Sequence, residues 1–181
     1  MKDIRETLNT GRPLLFDGAM GTYFAQTYPE ERCELASLTR PNAIRSIHRA
    51  YLEAGCQAIK TNTFTVSADL AQGRDELAAQ IVQASCRLAL EEARPFGACV
   101  FGDIGPAPEG APLSRGENYL RQAELLLGQG VRCFLAETLS SDEGLEELAR
   151  GLKARCPEAF LLVSFAVAFD GTTREGCSAT A

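Results

Sequence analysis

What this 181-residue chain lacks narrows its chemistry first. It holds a single histidine, His48, and one imidazole cannot build a histidine metal site. Its seven cysteines (Cys33, Cys56, Cys86, Cys99, Cys133, Cys156 and Cys177) include no C-x-x-C pair and no adjacent pair. A scattered, odd-numbered set reads as reduced thiols filling small apolar positions in a cytoplasmic protein, not as a disulfide framework. No apolar run approaches the roughly 20 residues that cross a bilayer. The opening residues, Met1 to Glu6, mix both signs of charge with no apolar stretch behind them, so no secretory signal is expected. Basic residues are in deficit, 18 against 24 acidic ones for a net charge of −6. That balance offers no footprint for nucleic acid or an anionic membrane surface. No linker or low-complexity tract interrupts the sequence, which makes residues 1–181 one domain.

What is present is a rhythm. Five short apolar runs each end on polar or acidic residues and give way to helix-like segments: Leu14-Leu15-Phe16-Asp17, Ala58-Ile59-Lys60-Thr61-Asn62, Val100-Phe101-Gly102-Asp103, Phe134-Leu135-Ala136-Glu137 and Leu161-Leu162-Val163-Ser164. The spacing predicts helices from Pro41 to Gly55, from about Asp75 to Arg94, from about Glu117 to Leu127, and one capped by Ser140-Ser141-Asp142. Strand, helix, strand in this order requires parallel pairing, hence an α/β fold. Barrel and open sheet read alike from the pattern, and both place ligands at the carboxyl ends of the strands. Asp17, Asn62, Asp103 and Glu137 are therefore expected around one site.

Four segments can carry chemistry. Asp17-Gly18-Ala19-Met20-Gly21-Thr22 is a small-residue loop whose backbone N–H groups can hold a carboxylate or phosphate, or which simply turns the chain. It is not G-x-G-x-x-G and lacks a Walker lysine, so it supports a nucleotide weakly. Glu137 closes an apolar strand and needs a cation, either a ligand ammonium or a lysine or arginine of the chain. Thr61-Asn62-Thr63 offers uncharged groups for orienting a polar substrate. Asp103 reads best as a cap of its own loop.

Taken in order, Leu15-Phe16-Asp17-Gly18-Ala19-Met20-Gly21-Thr22, Cys33-Glu34-Leu35, Ile47-His48 through Tyr51, Ala54-Gly55, Thr61-Asn62-Thr63-Phe64, Gly102-Asp103-Ile104-Gly105-Pro106, Glu137-Thr138 and Asp170-Gly171-Thr172 resemble the homocysteine S-methyltransferase family. The resemblance implies a (β/α)8 TIM-type barrel, of which about five βα units are present, that methylates the thiol of homocysteine to give methionine. It also implies substrate-binding roles. The backbone at Gly18 and Ala19 would hold the amino-acid carboxylate, and Asp17 and Glu137 would fix its amino group or hold the loops around it. Asn62 and Thr63 would lie near the same pocket.

The family uses Zn2+, held by one cysteine after a sixth strand and an adjacent pair near the barrel's end. The resemblance implies that these ligands are absent here, since Cys177 falls too early, so no catalytic or metal residue is assigned. A corrinoid or folate partner domain is an implied methyl source. Poor activity alone, and self-association through open sheet edges, are expected of a partial barrel. Two other readings remain open at this stage: a non-catalytic half-barrel binding an amino acid or a partner chain, and an open α/β domain binding a phosphate group.

Overall fold

Alternation with a period of two turns each apolar run into a strand with two distinct faces, and both faces are covered in most of this fold. The computed structural model describes residues 4–178; Met1 to Asp3, on which the signal-peptide reading leaned, and Ala179 to Ala181, the end of the expected domain, lie outside the described residues. In chain order the elements are α1 (Ile4–Asn9), α2 (Met20–Ala25), α3 (Cys33–Thr39), α4 (Pro41–Glu53), β1 (Ala58–Lys60), α5 (Val66–Ala71), α6 (Asp75–Ala93), β2 (Cys99–Ile104), α7 (Arg115–Gly128), β3 (Cys133–Leu139), α8 (Leu145–Arg155) and β4 (Phe160–Phe165).

The four strands form one parallel sheet in the order β1-β2-β3-β4. Sequence neighbours are spatial neighbours throughout, with no reversal point of the doubly wound kind, which is the strand order of a barrel. The faces agree. Ile104, Phe134, Ala136 and Leu161 pack with α5, α6, α7 and α8 through Leu70, Ile81, Leu126 and Leu148. Ala58, Cys99, Phe101, Cys133, Leu135, Phe160 and Leu162 instead gather on the other face, with Ile4 of α1 among them. Helices thus line one side, and the strands' own side chains fill the other, as on the inner wall of a barrel.

The first expected strand is reduced to a single parallel bridge, Phe16 to Ala58. Two backbone bonds frame it, Asp17 N–H to Ala58 O (2.9 Å) and Gln57 N–H to Leu15 O (2.8 Å). The run is short, Pro13 before it has no N–H to offer, and the chain enters α2 at Met20. Part of the expected Gly18–Thr22 loop is accordingly the first turn of that helix. The helices opened by Pro41 and Asp75 form as expected, and α7 starts two residues early because Ser114 and Glu117 make a reciprocal capping box. Ser140-Ser141-Asp142 do not cap α8, which follows Gly144 without a side-chain cap. Their hydroxyls are used elsewhere: Ser141 accepts from Arg115 at 2.6 Å, and Ser140 donates to Glu175. His48 is a fully buried core residue of α4, and burial pushes its pKa down to about 4. Among the described residues no cysteine is in a disulfide.

Candidate functional site

The inward parity of the strands decides which side chains meet. Lys60 follows Ala58 by two residues, Asp103 follows Phe101, and Glu137 follows Leu135, so each is the last inward position of β1, β2 or β3. Because the strands are parallel, these three ends lie at one rim. They open into a cavity of about 450 Å³ lined also by Ala19, Asn62 and Cys33. Asp17 is not among the lining residues. Its Oδ2 accepts the Lys60 backbone N–H at 3.0 Å, and it lies close enough to feel the charges of Lys60 and Glu137.

Of the two cations expected for Glu137, the chain supplies one: Lys60 Nζ donates to Glu137 Oε1 at 2.7 Å, with both side chains largely buried. Burial works against the Lys60 charge, yet the Glu137 bond and the neighbouring carboxylates of Asp103 and Asp17 hold its pKa above the ordinary lysine value. One ammonium therefore faces three carboxyl groups. Burial, assisted by Glu137, raises Asp17 to about 6 despite the opposing pull of Lys60. Burial and then the charge of Glu137 hold Asp103 well above the usual carboxylate range. Asp17 Oδ1 and Asp103 Oδ1 are both buried with no hydrogen-bond partner.

Reading Asp103 as a loop cap is thereby corrected. Its side chain turns inward, and the stitching of this corner is done by its backbone: Asp103 N–H donates to Thr61 Oγ1 (3.0 Å), Thr61 and Thr63 share a hydroxyl bond (2.7 Å), and Thr63 Oγ1 donates to Asp103 O (2.7 Å). The Thr63 hydroxyl is thus committed to holding β1's end on β2. Asn62 is committed as well: Nδ2 donates to Cys33 O (2.7 Å) and Ser37 Oγ (3.0 Å), and Oδ1 accepts the Cys33 thiol (3.4 Å). Both line the cavity and fix its wall. Gly18 is needed for close packing, since a Cβ there would lie 2.7 Å from the Tyr51 hydroxyl oxygen. Ala19 is the lining residue of that pair.

Reasoning from the sequence missed Lys60, Cys33 and Glu34. Lys60 stood inside a run already counted as apolar, and applying the period-two rule from Ala58 would have found it. Cys33 lies in α3, a seven-residue helix without an apolar stripe long enough to read. Its thiol is pushed up to about 12, by burial first and then by Glu34, so it stays protonated. Glu34 accepts the Thr65 N–H (3.2 Å) and faces Arg32 (3.4 Å), which anchors this wall to Asp69 of α5 through a 3.0 Å bond.

A family model described as Homocysteine S-methyltransferase matches residues 14–181. The chain belongs to this family. Among curated relatives, betaine–homocysteine S-methyltransferase 1 of Danio rerio is 27% identical over 168 residues, covering 84% of this chain and 41% of the relative. The Mus musculus protein of the same name is 26% identical over 170 residues, with the same two coverages. This chain therefore spans about two fifths of the length of those relatives. Among solved structures, the oxidized form of the Escherichia coli homocysteine methyltransferase MmuM superimposes with a TM-score of 0.76 at 24% identity, covering 99% of this chain and 70% of that one. The apo form gives 0.72 at 26%, covering 98% and 68%. The likeness at 24% identity shows the fold, an α/β barrel-type sheet present in part.

The zinc associated with this homocysteine S-methyltransferase family does not fit the described residues. No group of three His, Cys, Asp or Glu among them comes together as a metal site, and Cys33, the one cysteine lining the cavity, is a protonated thiol bonded to Asn62.

Proposed function

We propose that the cavity at the strand ends binds homocysteine as a zwitterion and holds its sulfur for methylation, giving methionine in the cytoplasm. The observation that supports this most strongly is the imbalance of charge at the cavity wall: Asp103 and Glu137, with Asp17 close behind them, share the one ammonium of Lys60, and the Oδ1 atoms of Asp103 and Asp17 lack any partner. A ligand ammonium supplies the missing donors and charge, which is worth more in a desolvated site than in water. The carboxyl cluster to which Asp17 and Glu137 belong takes the amino group. The backbone at Gly18 and Ala19 takes the carboxylate. Asn62 and Thr63 contribute shape, keeping the wall rigid through bonds already made.

Methyl transfer forms a carbon–sulfur bond and releases the thiol proton and the donor's leaving group. The chain's own part in this is to bind and orient the acceptor and to withhold a competing nucleophile, since the Cys33 thiol stays protonated. A corrinoid or folate partner domain remains the proposed methyl source, and the open edge of β4 the proposed seat of self-association.

Calorimetric titration of the chain with L-homocysteine and with its deamino analogue tests the reading. It predicts binding of the amino acid and an affinity at least about tenfold lower for the analogue. Equal affinities for the two would refute recognition through the ammonium.

A further inference from the structure

We propose that Gln122 of α7 is a positioning residue of this site: its carboxamide ties the exits of β1 and β2 together and so sets the shape of the cavity wall that Thr63 and Asp103 form. The inference rests on the homocysteine reading of the cavity and adds to it a residue outside the cavity lining. The β1–β2 ladder ends at Lys60 and Phe101, with one further bond from Thr61 N–H to Phe101 O at 2.8 Å. Beyond it the spacing of the two segments passes to side chains. Gln122 is fully buried and donates through Nε2 to Thr63 O (2.8 Å) and to Asp103 O (2.9 Å). Both targets are carbonyl oxygens, so the nitrogen end of the amide must face them, with both of its hydrogens used. Gly102, the residue before Asp103, lets α7 come this close, since a Cβ there would lie 2.8 Å from Leu126, one turn along from Gln122.

Satisfying the two carbonyls does not account for the amide. Thr63 O already accepts the Val66 N–H at 3.1 Å, and Asp103 O already accepts the Thr63 hydroxyl at 2.7 Å. Gln122 Oε1, meanwhile, is buried with no hydrogen-bond partner, a cost that an apolar side chain in this core position would avoid. What the amide supplies, and an apolar group cannot, is a fixed separation, because one planar NH2 group holds carbonyls of two adjacent segments at once. Asn118, one turn earlier and also fully buried, repeats the device farther along: it donates to Ser67 O (3.0 Å), and the Ser67 hydroxyl donates to Pro106 O (3.0 Å). A polar stripe on α7 thus pins both segments that leave β1 and β2. Gln122 is the member of that stripe whose bonds fall on residues lining the cavity.

The test compares Q122M with L152V. Methionine keeps the length of glutamine without its donors, and valine at Leu152 weakens the helix-side core at a position outside the cavity lining. In calorimetric titration, affinity for L-homocysteine should fall about tenfold or more in Q122M and stay within about twofold of wild type in L152V. Hydrogen exchange, read without ligand, should quicken in Q122M over residues 61–65 and 103–107 beyond any chain-wide rise, and L152V should show no such local excess. Thermal melts accompany both variants, and should Q122M fail to fold, Q122N, whose amide is one methylene short of the two carbonyls, takes its place. Unchanged homocysteine affinity in Q122M, or an equal loss in L152V, overturns the inference and leaves the homocysteine reading standing. A wild-type chain that does not bind homocysteine overturns that reading; the exchange measurement then decides alone, and equal exchange over the two segments in Q122M and L152V overturns the inference as well.

Discussion

Strands β2 and β4 have equal length and similar apolar character, yet they fare differently. Every residue of β2 is buried, between β1 on one side and β3 on the other and under α6 and α7. β4 pairs with β3 alone, none of its residues is buried, and Val163 and Phe165 are 37% and 43% exposed. Of the outward positions of β4, Leu161 packs against the helix-side core while Val163 and Phe165 stay exposed, and β3 is its one strand neighbour among the described residues. An apolar strand pattern therefore announces what a segment can bury, and the neighbours decide what it does bury. The functional consequence follows: the site is built at the ends of β1, β2 and β3, and β4 contributes nothing to its lining.

The contrast can be broken most forcefully in β2. Phe101→Ala should lower the unfolding free energy in urea by about 3–5 kcal/mol, because Phe101 is fully buried against Phe16 and Phe160. Phe165→Ala in β4 should cost less than about 1 kcal/mol. Similar losses at the two positions would show that β4 is as well covered as β2. Next comes the exit of β2, where a Cβ on Gly105 would sit 2.3 Å from the Phe64 backbone oxygen. Gly105→Ala should cost up to about 3 kcal/mol by the same measurement and loosen the Asp103 corner.

Asp17→Asn acts in the opposite direction. Asp17 has a folded-state pKa of about 6 against an ordinary value of 3.8, so the folded protein bears the cost of its charge above pH 6 and is relieved as the pH falls toward 4. The asparagine variant should gain about 2 kcal/mol at pH 8, and the gain should fade between pH 6 and 4. A gain that is flat across this range would mean that charge burial is not its source. Smallest of all in stability is Val163→Lys, within about 0.5 kcal/mol. It should nevertheless reduce any concentration-dependent association seen by ultracentrifugation, since a charge on an open strand blocks edge pairing.

The fold was legible wherever hydrophobic spacing ran long enough to define a period. The nineteen residues of α6 and the thirteen of α4 declared themselves. The short helices α2, α3 and α5 did not, because six or seven residues complete under two turns and carry no stripe. The site was half legible. Acidic ends of apolar strands pointed to Asp17 and Glu137, whereas Lys60 and the true orientation of Asp103 depend on which face of the sheet turns inward. That choice is made by tertiary packing, and a single sequence records only the alternation. The strained backbone of Thr138, at φ 55° beside a register shift between Ala136 and Leu139, was likewise invisible until the strands were paired.

Proton release on ligand binding probes the central idea, that inward strand ends assemble a proton-loaded carboxyl cluster awaiting an ammonium. Titrating homocysteine calorimetrically at pH 6 in two buffers of different ionisation enthalpy counts those protons. Release of about half a proton or more per ligand is the result the geometry demands. Binding with no proton exchange, or with uptake, would contradict it.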